Sequence, residues 1–215
     1  MDAVIFDMDG VISDTQRLHS EVESELLRGW GIAIGPGDLT RRYAGMADRD
    51  FLPAVLGRPV DAGEFARWTR DKWGTMAERA PGRIVPMDGA LELIALLGAR
   101  GVPIAVASSS PMSFIDQVLS ELGVGDAFAA RATGEEVPRG KPAPDVFLLA
   151  ARRLGVAPER CTVIEDAVAG MTAARAAGMR CVALVDDPTR PLPADVAVRS
   201  LREAVAEPER VLGLG

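Results

Sequence analysis

The chain has 215 residues, of which 48% are hydrophobic, so it can bury a core and is not a disordered polypeptide. Lys and Arg together number 24 and Asp and Glu 31, which gives a net charge of -7. An acidic chain has no general attraction for nucleic acid or for an anionic membrane, so we expect neither as a partner.

The first apolar run, residues 4–6, has the length of a buried strand and ends at Asp7. No basic segment precedes it, and it is too short for a signal peptide. No apolar run reaches the roughly 18 residues of a membrane span. We therefore expect a soluble cytoplasmic protein, and nothing in the sequence demands more than a monomer.

Residues 14–83 contain helical patterns and no convincing strand. The predicted helices cover residues 16–28, 36–42, 50–56 and 61–79. A block of helices after the first strand predicts an inserted α-helical cap domain. The predicted division is a catalytic core at 1–13 and 84–215 and a cap at 14–83.

The rest of the chain alternates between short apolar runs and helical patterns. The predicted strands cover 104–107, 162–164 and 181–185, and the predicted helices cover 89–100, 112–122, 145–154 and 168–177. Each of these helices ends near a glycine, as helix C-termini often do. This order predicts an α/β fold with a doubly wound, Rossmann-like parallel sheet.

Two acidic pairs follow predicted strands. Asp7 and Asp9 come after the first strand, and Glu165 and Asp166 come after the strand at 162–164. Ligands of open α/β sheets bind at the carboxyl ends of strands, and carboxylates from two strands there suit a hard cation such as Mg²⁺. Each pair alone has a structural explanation, because Asp7 to Gly10 suits a solvated turn and Asp166 suits a helix cap.

Ser108, Ser109 and Ser110 follow the strand at 104–107, and Lys141 lies in a loop between glycine and proline. Hydroxyls and backbone N–H groups at a helix start suit phosphate oxygens. A helix cap and a solvated loop lysine are the structural alternatives. Together with the acidic pairs, these residues match phosphoryl transfer, in which a carboxylate attacks while cations neutralise the transferring group.

In order along the chain, the motifs resemble those of haloacid dehalogenase superfamily hydrolases with a helical cap. They are Asp7-x-Asp9-Gly10-Val11-x-x-Asp14-Thr15, Ser108 after a strand, Gly140-Lys141-Pro142-x-Pro144-Asp145, and Ile164-Glu165-Asp166-Ala167-x-x-Gly170. The similarity covers essentially the whole chain, and four ordered motifs are far more specific than one.

The resemblance implies a role for each motif. Asp7 would be the nucleophile and a Mg²⁺ ligand, and Asp9 would be the general acid and base, with its carbonyl on the metal. Ser108, Ser109 and Lys141 would bind phosphate. Glu165 and Asp166 would complete the metal site.

Members of the resembled superfamily catalyse different reactions, so the residues must decide between dehalogenation and phosphoryl transfer, and then between a phosphatase and a mutase. Phosphate ester cleavage needs a proton donor and a divalent cation, which halide expulsion does not, so phosphoryl transfer is favoured. Residues 43–49 resemble the specificity loop of β-phosphoglucomutase-like members, in which a lysine often stands where this chain has Ala44. That difference favours a phosphatase acting on a small phosphorylated metabolite, such as a sugar phosphate or a nucleotide-like monoester.

Two alternatives remain: a sugar-phosphate mutase, and a non-catalytic binding protein that keeps the fold. The candidate substrate contacts in the cap region are His19, Gly45, Met46, Arg49, Arg70 and Lys72. For Arg49, Arg70, Lys72 and His19, a solvated position on the surface is an equally good explanation.

Overall fold

The computed structural model describes residues 2–214, so the predicted domain limits at residues 1 and 215 lie outside it. Within that range the chain forms a parallel six-stranded sheet in the order β3-β2-β1-β4-β5-β6. The strands are β1 (Ala3–Phe6), β2 (Ile104–Ser108), β3 (Ala130–Thr133), β4 (Cys161–Glu165), β5 (Arg180–Leu184) and β6 (Val196–Val198). The order reverses between β1 and β4, where doubly wound folds bind ligands.

Alternate side chains of each strand point to opposite sides of the sheet, and both sides pack against helices in hydrophobic clusters. In β1, Val4 and Phe6 belong to one hydrophobic cluster, and Ala3 and Ile5 belong to a second cluster. All four β1 residues are fully buried. A continuous apolar strand at the centre of the sheet therefore anchors the backbone just before Asp7.

Ten α-helices lie within residues 2–214. They are α1 (Gln16–Gly29), α2 (Pro36–Tyr43), α3 (Asp48–Leu56), α4 (Ala62–Arg79), α5 (Ala90–Ala99), α6 (Met112–Glu121), α7 (Asp145–Leu154), α8 (Val168–Ala176), α9 (Leu201–Ala206) and α10 (Pro208–Leu212). None of these is both long and apolar enough to cross a membrane. The predicted α/β class is confirmed, and the predicted helices and strands match to within about two residues, the usual uncertainty of element ends.

The helices α1 to α4 have a hydrophobic cluster of their own, which includes Leu27, Phe51 and Trp68. The start of α4 is fixed by a capping box, in which Asp61 accepts from the Glu64 N–H at 2.9 Å and the Glu64 side chain accepts from the Asp61 N–H at 3.3 Å. Residues 14–83 contain these four helices and no strand. This arrangement supports an inserted cap, and its limits at 14 and 83 stay a prediction.

The two segments that join these helices to the sheet run side by side. The N–H of Asp14 donates to the carbonyl of Val85 at 2.9 Å, and the N–H of Met87 donates to the carbonyl of Ile12 at 3.0 Å. Both connections therefore meet at one place, close to the residues that follow β1.

The sequence patterns do not predict β3, β6, α9 or α10. β6 has three residues, two of them only half buried, and β3 carries the partly exposed Arg131. These two strands form the edges of the sheet, where one side of the strand has no neighbour. A short edge strand does not need the continuous apolar run by which the inner strands are recognised.

Candidate active site

Three neighbouring strands deliver polar side chains to one edge of the sheet. Asp7 directly follows β1, Ser108 is the last residue of β2, and Glu165 is the last residue of β4. β1 pairs with both β2 and β4, so these residues meet at the point where the strand order reverses. The predicted motifs thus converge at the location expected for a ligand.

Lys141 links two of these carboxylates. Its Nζ contacts Oδ1 of Asp7, lies 2.7 Å from Oε1 of Glu165, and donates to the carbonyl of Ala107 at 3.3 Å. The side chains of Lys141 and Glu165 are completely buried. Burial lowers the pKa of Lys141, but the two carboxylates outweigh burial and raise it overall, so the ammonium stays charged.

Asp7, Glu165 and Asp166 form an acidic cluster in which one carboxylate oxygen of each residue lies within 4.8 Å of those of the other two. Burial is the main cause that raises the pKa of Asp7 to about 8, against the opposing effect of Lys141. Burial, followed by the charges of Glu165 and Asp7, also raises the pKa of Asp166 well above its usual value. One ammonium does not balance three carboxylates, so an oxygen-coordinated divalent cation fits this cluster.

Two glycines make room for the cluster. Gly10 has φ +90°, and a Cβ there would lie 2.2 Å from Oδ2 of Asp166. A Cβ on Gly170 would lie 1.6 Å from Oε1 of Glu165. Any larger residue at either position would displace a carboxylate of the cluster.

Asp9 accepts several hydrogen bonds. Thr15 donates to Oδ1 at 2.5 Å, His19 Nε2 lies 3.1 Å from the same oxygen, and Ser110 donates to Oδ2 at 2.8 Å. Burial raises the pKa of Asp9, but His19 and the hydroxyl donors outweigh burial and hold it well below its usual range. Asp9 is therefore a carboxylate in this state of the protein.

The three serines after β2 have different partners. Ser108 donates to Oδ2 of Asp9 at 3.3 Å and accepts from the N–H of Ser110 at 3.0 Å. Ser109 instead donates to the carbonyl of Gly45 at 2.8 Å. Ser110 and Thr15 were not among the predicted site residues, although Ser110 belongs to the serine run and Thr15 ends the first motif.

A small cavity lies between these residues and the helices α1 to α4. Its free volume is about 40 Å³, which is room for about one water molecule. Its lining includes the predicted residues Asp7, Asp9, His19, Gly45, Met46, Lys72, Ser108 and Ser109, together with Gln16, Glu23, Leu39, Tyr43, Ala44, Asp48, Trp73 and Ser110. The cap side and the core side of the predicted site are thus in direct contact.

The two predicted arginines point elsewhere. Arg49 donates from Nη1 to the carbonyl of Val137 and from Nη2 to that of Gly134, both at 2.8 Å. The Arg70 side chain is 71% exposed and pairs with Asp71. The structure does not bring either of them to the cavity, because Arg49 faces the segment after β3 and Arg70 faces solvent.

Lys72 does reach the cavity, but as part of an ion-pair group. Its Nζ lies 2.8 Å from Oε1 of Glu23 and 2.6 Å from Oδ1 of Asp48. The other oxygen of Asp48 accepts from Trp73 Nε1 at 2.8 Å. Burial lowers the pKa of Lys72, yet the two carboxylates raise it overall. Glu23 and Asp48 were not predicted, because only the packing of three helices brings them to Lys72.

Comparison with known proteins agrees with this geometry. The family model of haloacid dehalogenase-like hydrolases matches residues 1–178. Hexitol phosphatase B of Escherichia coli K12 is 32% identical over 95% of each chain. The phosphorylated carbohydrates phosphatase of Thermotoga maritima is 31% identical over 83% of this chain and 82% of its own.

A solved structure of beta-phosphoglucomutase from Clostridium difficile superposes with a TM-score of 0.82 at 27% identity, covering 96% of this chain and 98% of that one. The chain belongs to the haloacid dehalogenase-like hydrolase family. The predictions of this family, of its α/β fold and of an enzyme related to phosphatases are confirmed.

Proposed function

We propose that the protein is a Mg²⁺-dependent phosphatase that hydrolyses a small phosphorylated metabolite through an aspartyl-phosphate on Asp7. The observation that carries the proposal is the pairing of Asp7 with the buried Lys141 at the strand-order reversal. The names of the two phosphatase relatives support a sugar phosphate or a related monoester as the substrate. We expect a monomer in the cytoplasm without nucleic-acid or membrane partners.

Asp7 is the group suited to attack phosphorus. Contact with Lys141 opposes the rise in the pKa of Asp7 caused by burial and so favours its carboxylate form. A carboxylate oxygen forms the new P–O bond while the bond between phosphorus and the ester oxygen breaks. Lys141 and Ser108 would bind the phosphoryl oxygens as their charge is redistributed.

Asp9 would donate a proton in the first half-reaction and accept one in the second. A phosphate dianion beside Asp9 raises the pKa of its carboxyl, so that it can carry the proton that the leaving alkoxide requires. Having given up that proton, the carboxylate accepts one from the water that attacks the aspartyl-phosphate. Hydrogen bonds from Thr15 and Ser110 would orient Asp9 for both steps.

The metal site would consist of Asp7, Glu165 and Asp166, with Asp9 contributing its backbone carbonyl as the family resemblance implies. A bound Mg²⁺ supplies positive charge that offsets the carboxylates and the phosphate. Among residues 2–214, Lys141 is the one cationic side chain paired with the acidic cluster, so the excess of carboxylates supports this assignment.

A mutase of the beta-phosphoglucomutase type is the second candidate, supported by the overall similarity to the C. difficile structure. A mutase must hold a bisphosphorylated intermediate, which requires cations on the cap side. Ala44 offers none, the guanidinium of Arg49 is engaged with backbone carbonyls, and the ammonium of Lys72 is paired with Glu23 and Asp48. The phosphatase is therefore the better supported of the two.

The helices α1 to α4 would open and close over the substrate. The cavity of about 40 Å³ is far smaller than a typical ligand pocket, so entry requires these helices to move away from the sheet. The paired segments at residues 12–14 and 85–87 are the candidate hinge. Closure would then exclude bulk water from the aspartyl-phosphate.

The test is phosphate release from a panel of sugar phosphates and nucleoside monophosphates with Mg²⁺ and with EDTA. Asp7→Asn serves as the inactive variant, and Asp126→Asn, at an exposed position far along the chain, serves as the matched control. Release that needs Mg²⁺ and is lost only in Asp7→Asn supports the proposal. Mutase activity with a bisphosphate activator, or binding without any turnover, would contradict it.

A further inference from the structure

The wall of the cavity formed by α1, α3 and α4 carries a net negative charge. Its charged groups are Glu23 on α1, Asp48 on α3 and Lys72 on α4, which gives two carboxylates and one ammonium. Among the described residues that line the cavity, Lys72 is the only lysine or arginine. With the phosphate at Asp7, this wall would face the remainder of a bound ester.

The single cation of this wall is already neutralised. Lys72 is 4% exposed and donates to Glu23 and Asp48 at 2.8 and 2.6 Å. Burial raises the pKa of Asp48, but Lys72 and the Trp73 indole outweigh burial and lower it, so its carboxylate stays charged beside Lys72. An anionic group entering here would face two carboxylates, and such like-charge contacts are strongly unfavourable.

Neutral donors suit the same wall. The hydrogen bonds of the described residues use only Oε1 of Glu23, and a carboxylate can accept several hydrogen bonds. Gln16 and Tyr43, which also line the cavity, add an amide and a phenol hydroxyl. Alcohol hydroxyls could donate to Glu23 and exchange hydrogen bonds with Gln16 and Tyr43.

We propose that Glu23, Lys72 and Asp48 select phosphate monoesters with a neutral, hydroxyl-rich leaving group and reject substrates that carry a second phosphate or a carboxylate. This inference rests on the proposed phosphatase function and specifies the substrate class of the same site. Glu23 lies on α1, Asp48 on α3 and Lys72 on α4, so the three side chains would move together with these helices.

The test compares kcat/KM for paired substrates at fixed free Mg²⁺. Glucitol phosphate is compared with phosphogluconate, and glucose phosphate with glucose bisphosphate. We expect the substrate of each pair whose leaving group is neutral to have the higher kcat/KM, by at least about tenfold. Glu23→Gln removes one negative charge at nearly constant shape, so we expect the preference to fall by about tenfold.

Glu25→Gln is the matched control, because Glu25 lies on the same helix but is exposed and paired with Arg79. We expect it to keep the preference of the unmodified protein. Asp48→Asn, scored by the same ratio, is a second variant for the case in which Glu23→Gln does not fold. A ratio between two substrates does not change when a variant merely lowers the amount of folded enzyme.

Activity on p-nitrophenyl phosphate distinguishes a failure of the proposed selectivity from a failure of the proposed phosphatase function. Turnover of this ester without any preference within the two pairs, or a preference unchanged in both Glu23→Gln and Asp48→Asn, would overturn the selectivity and leave the phosphatase standing. No release from this ester or from any sugar phosphate would contradict the phosphatase and the selectivity together.

Discussion

The hydroxyl of Ser110 donates to Oδ2 of Asp9 at 2.8 Å, whereas the hydroxyl of the adjacent Ser109 donates to the carbonyl of Gly45. Ser110→Ala removes a hydrogen bond to a charged carboxylate. We expect kcat to fall by about tenfold and the alkaline limb of the pH–rate profile to move to higher pH, because the pKa of Asp9 rises and Asp9 must be protonated to donate to the leaving group.

Ser109→Ala is the matched variant, because it removes the same atom one residue away. We expect it to raise KM a few-fold and to leave the alkaline limb in place, since Ser109 contacts the loop at Gly45 and not Asp9. Steady-state kinetics across pH measure both effects. Equal shifts in the two variants would contradict the assignment of Ser110 to Asp9.

Gly170 leaves space for the Glu165 carboxylate. In Gly170→Ala the new Cβ would fall 1.6 Å from Oε1 of Glu165, so the carboxylate must leave Lys141. We expect activity to fall by at least about a hundredfold and the free energy of unfolding to fall by about 2–4 kcal/mol. Urea unfolding and phosphate release measure the two quantities.

Gly74→Ala is the control, since Gly74 lies exposed inside α4 with nothing within 4 Å of its ideal Cβ position. It should stabilise the protein by about 0.5–1 kcal/mol and leave turnover unchanged. A Gly170→Ala enzyme with normal activity would show that the described position of Glu165 is not required.

Arg49 joins α3 to the segment after β3 through the carbonyls of Gly134 and Val137. Arg49→Gln loses both contacts, so we expect a larger radius of gyration in small-angle X-ray scattering and a KM raised by about tenfold. Arg41→Gln, on an exposed arginine of α2, should change neither. An unchanged radius in Arg49→Gln would mean that other contacts hold the helices closed.

Mg²⁺ should stabilise the protein more at high pH than at low pH. The pKa of Asp7 is raised from 3.8 to about 8 by burial, so without metal its contribution to stability is complete below 3.8 and is lost as pH rises through 8. The pKa of Asp166 is raised in the same direction. Thermal unfolding with Mg²⁺ and with EDTA, at about pH 5 and about pH 8, measures the difference in Tm.

In Asp7→Asn this pH dependence should shrink, because one of the two titrating carboxyls is gone. A Mg²⁺-induced rise in Tm that is equal at both pH values would contradict the account of the acidic cluster. Comparing the two Tm values at each pH cancels the titration of carboxylates elsewhere in the chain.

The sequence predicts the central part of this molecule well, for a physical reason. Inner strands such as β1 and β4 are buried on both faces and need continuous apolar runs, which place Asp7 and Glu165 at strand ends. Edge strands such as β3 and β6 lack that requirement, so their sequences carry no comparable signal.

The cap side of the site is harder to predict because it depends on how separate helices pack. Nothing local distinguishes Lys72, which is buried between Glu23 and Asp48, from Arg70, which points to solvent two residues earlier. The three consecutive serines likewise look equivalent, and only the turn after β2 decides which hydroxyl meets Asp9.

The most direct test of the proposed chemistry is to quench the enzyme with acid during turnover and to search for a phosphoryl group by mass spectrometry. We expect the peptide that contains Asp7 to carry it in the unmodified protein, and Asp7→Asn to carry none. Phosphate release without any trapped phosphoryl group, or with one on another residue, would contradict the role of Asp7 as nucleophile.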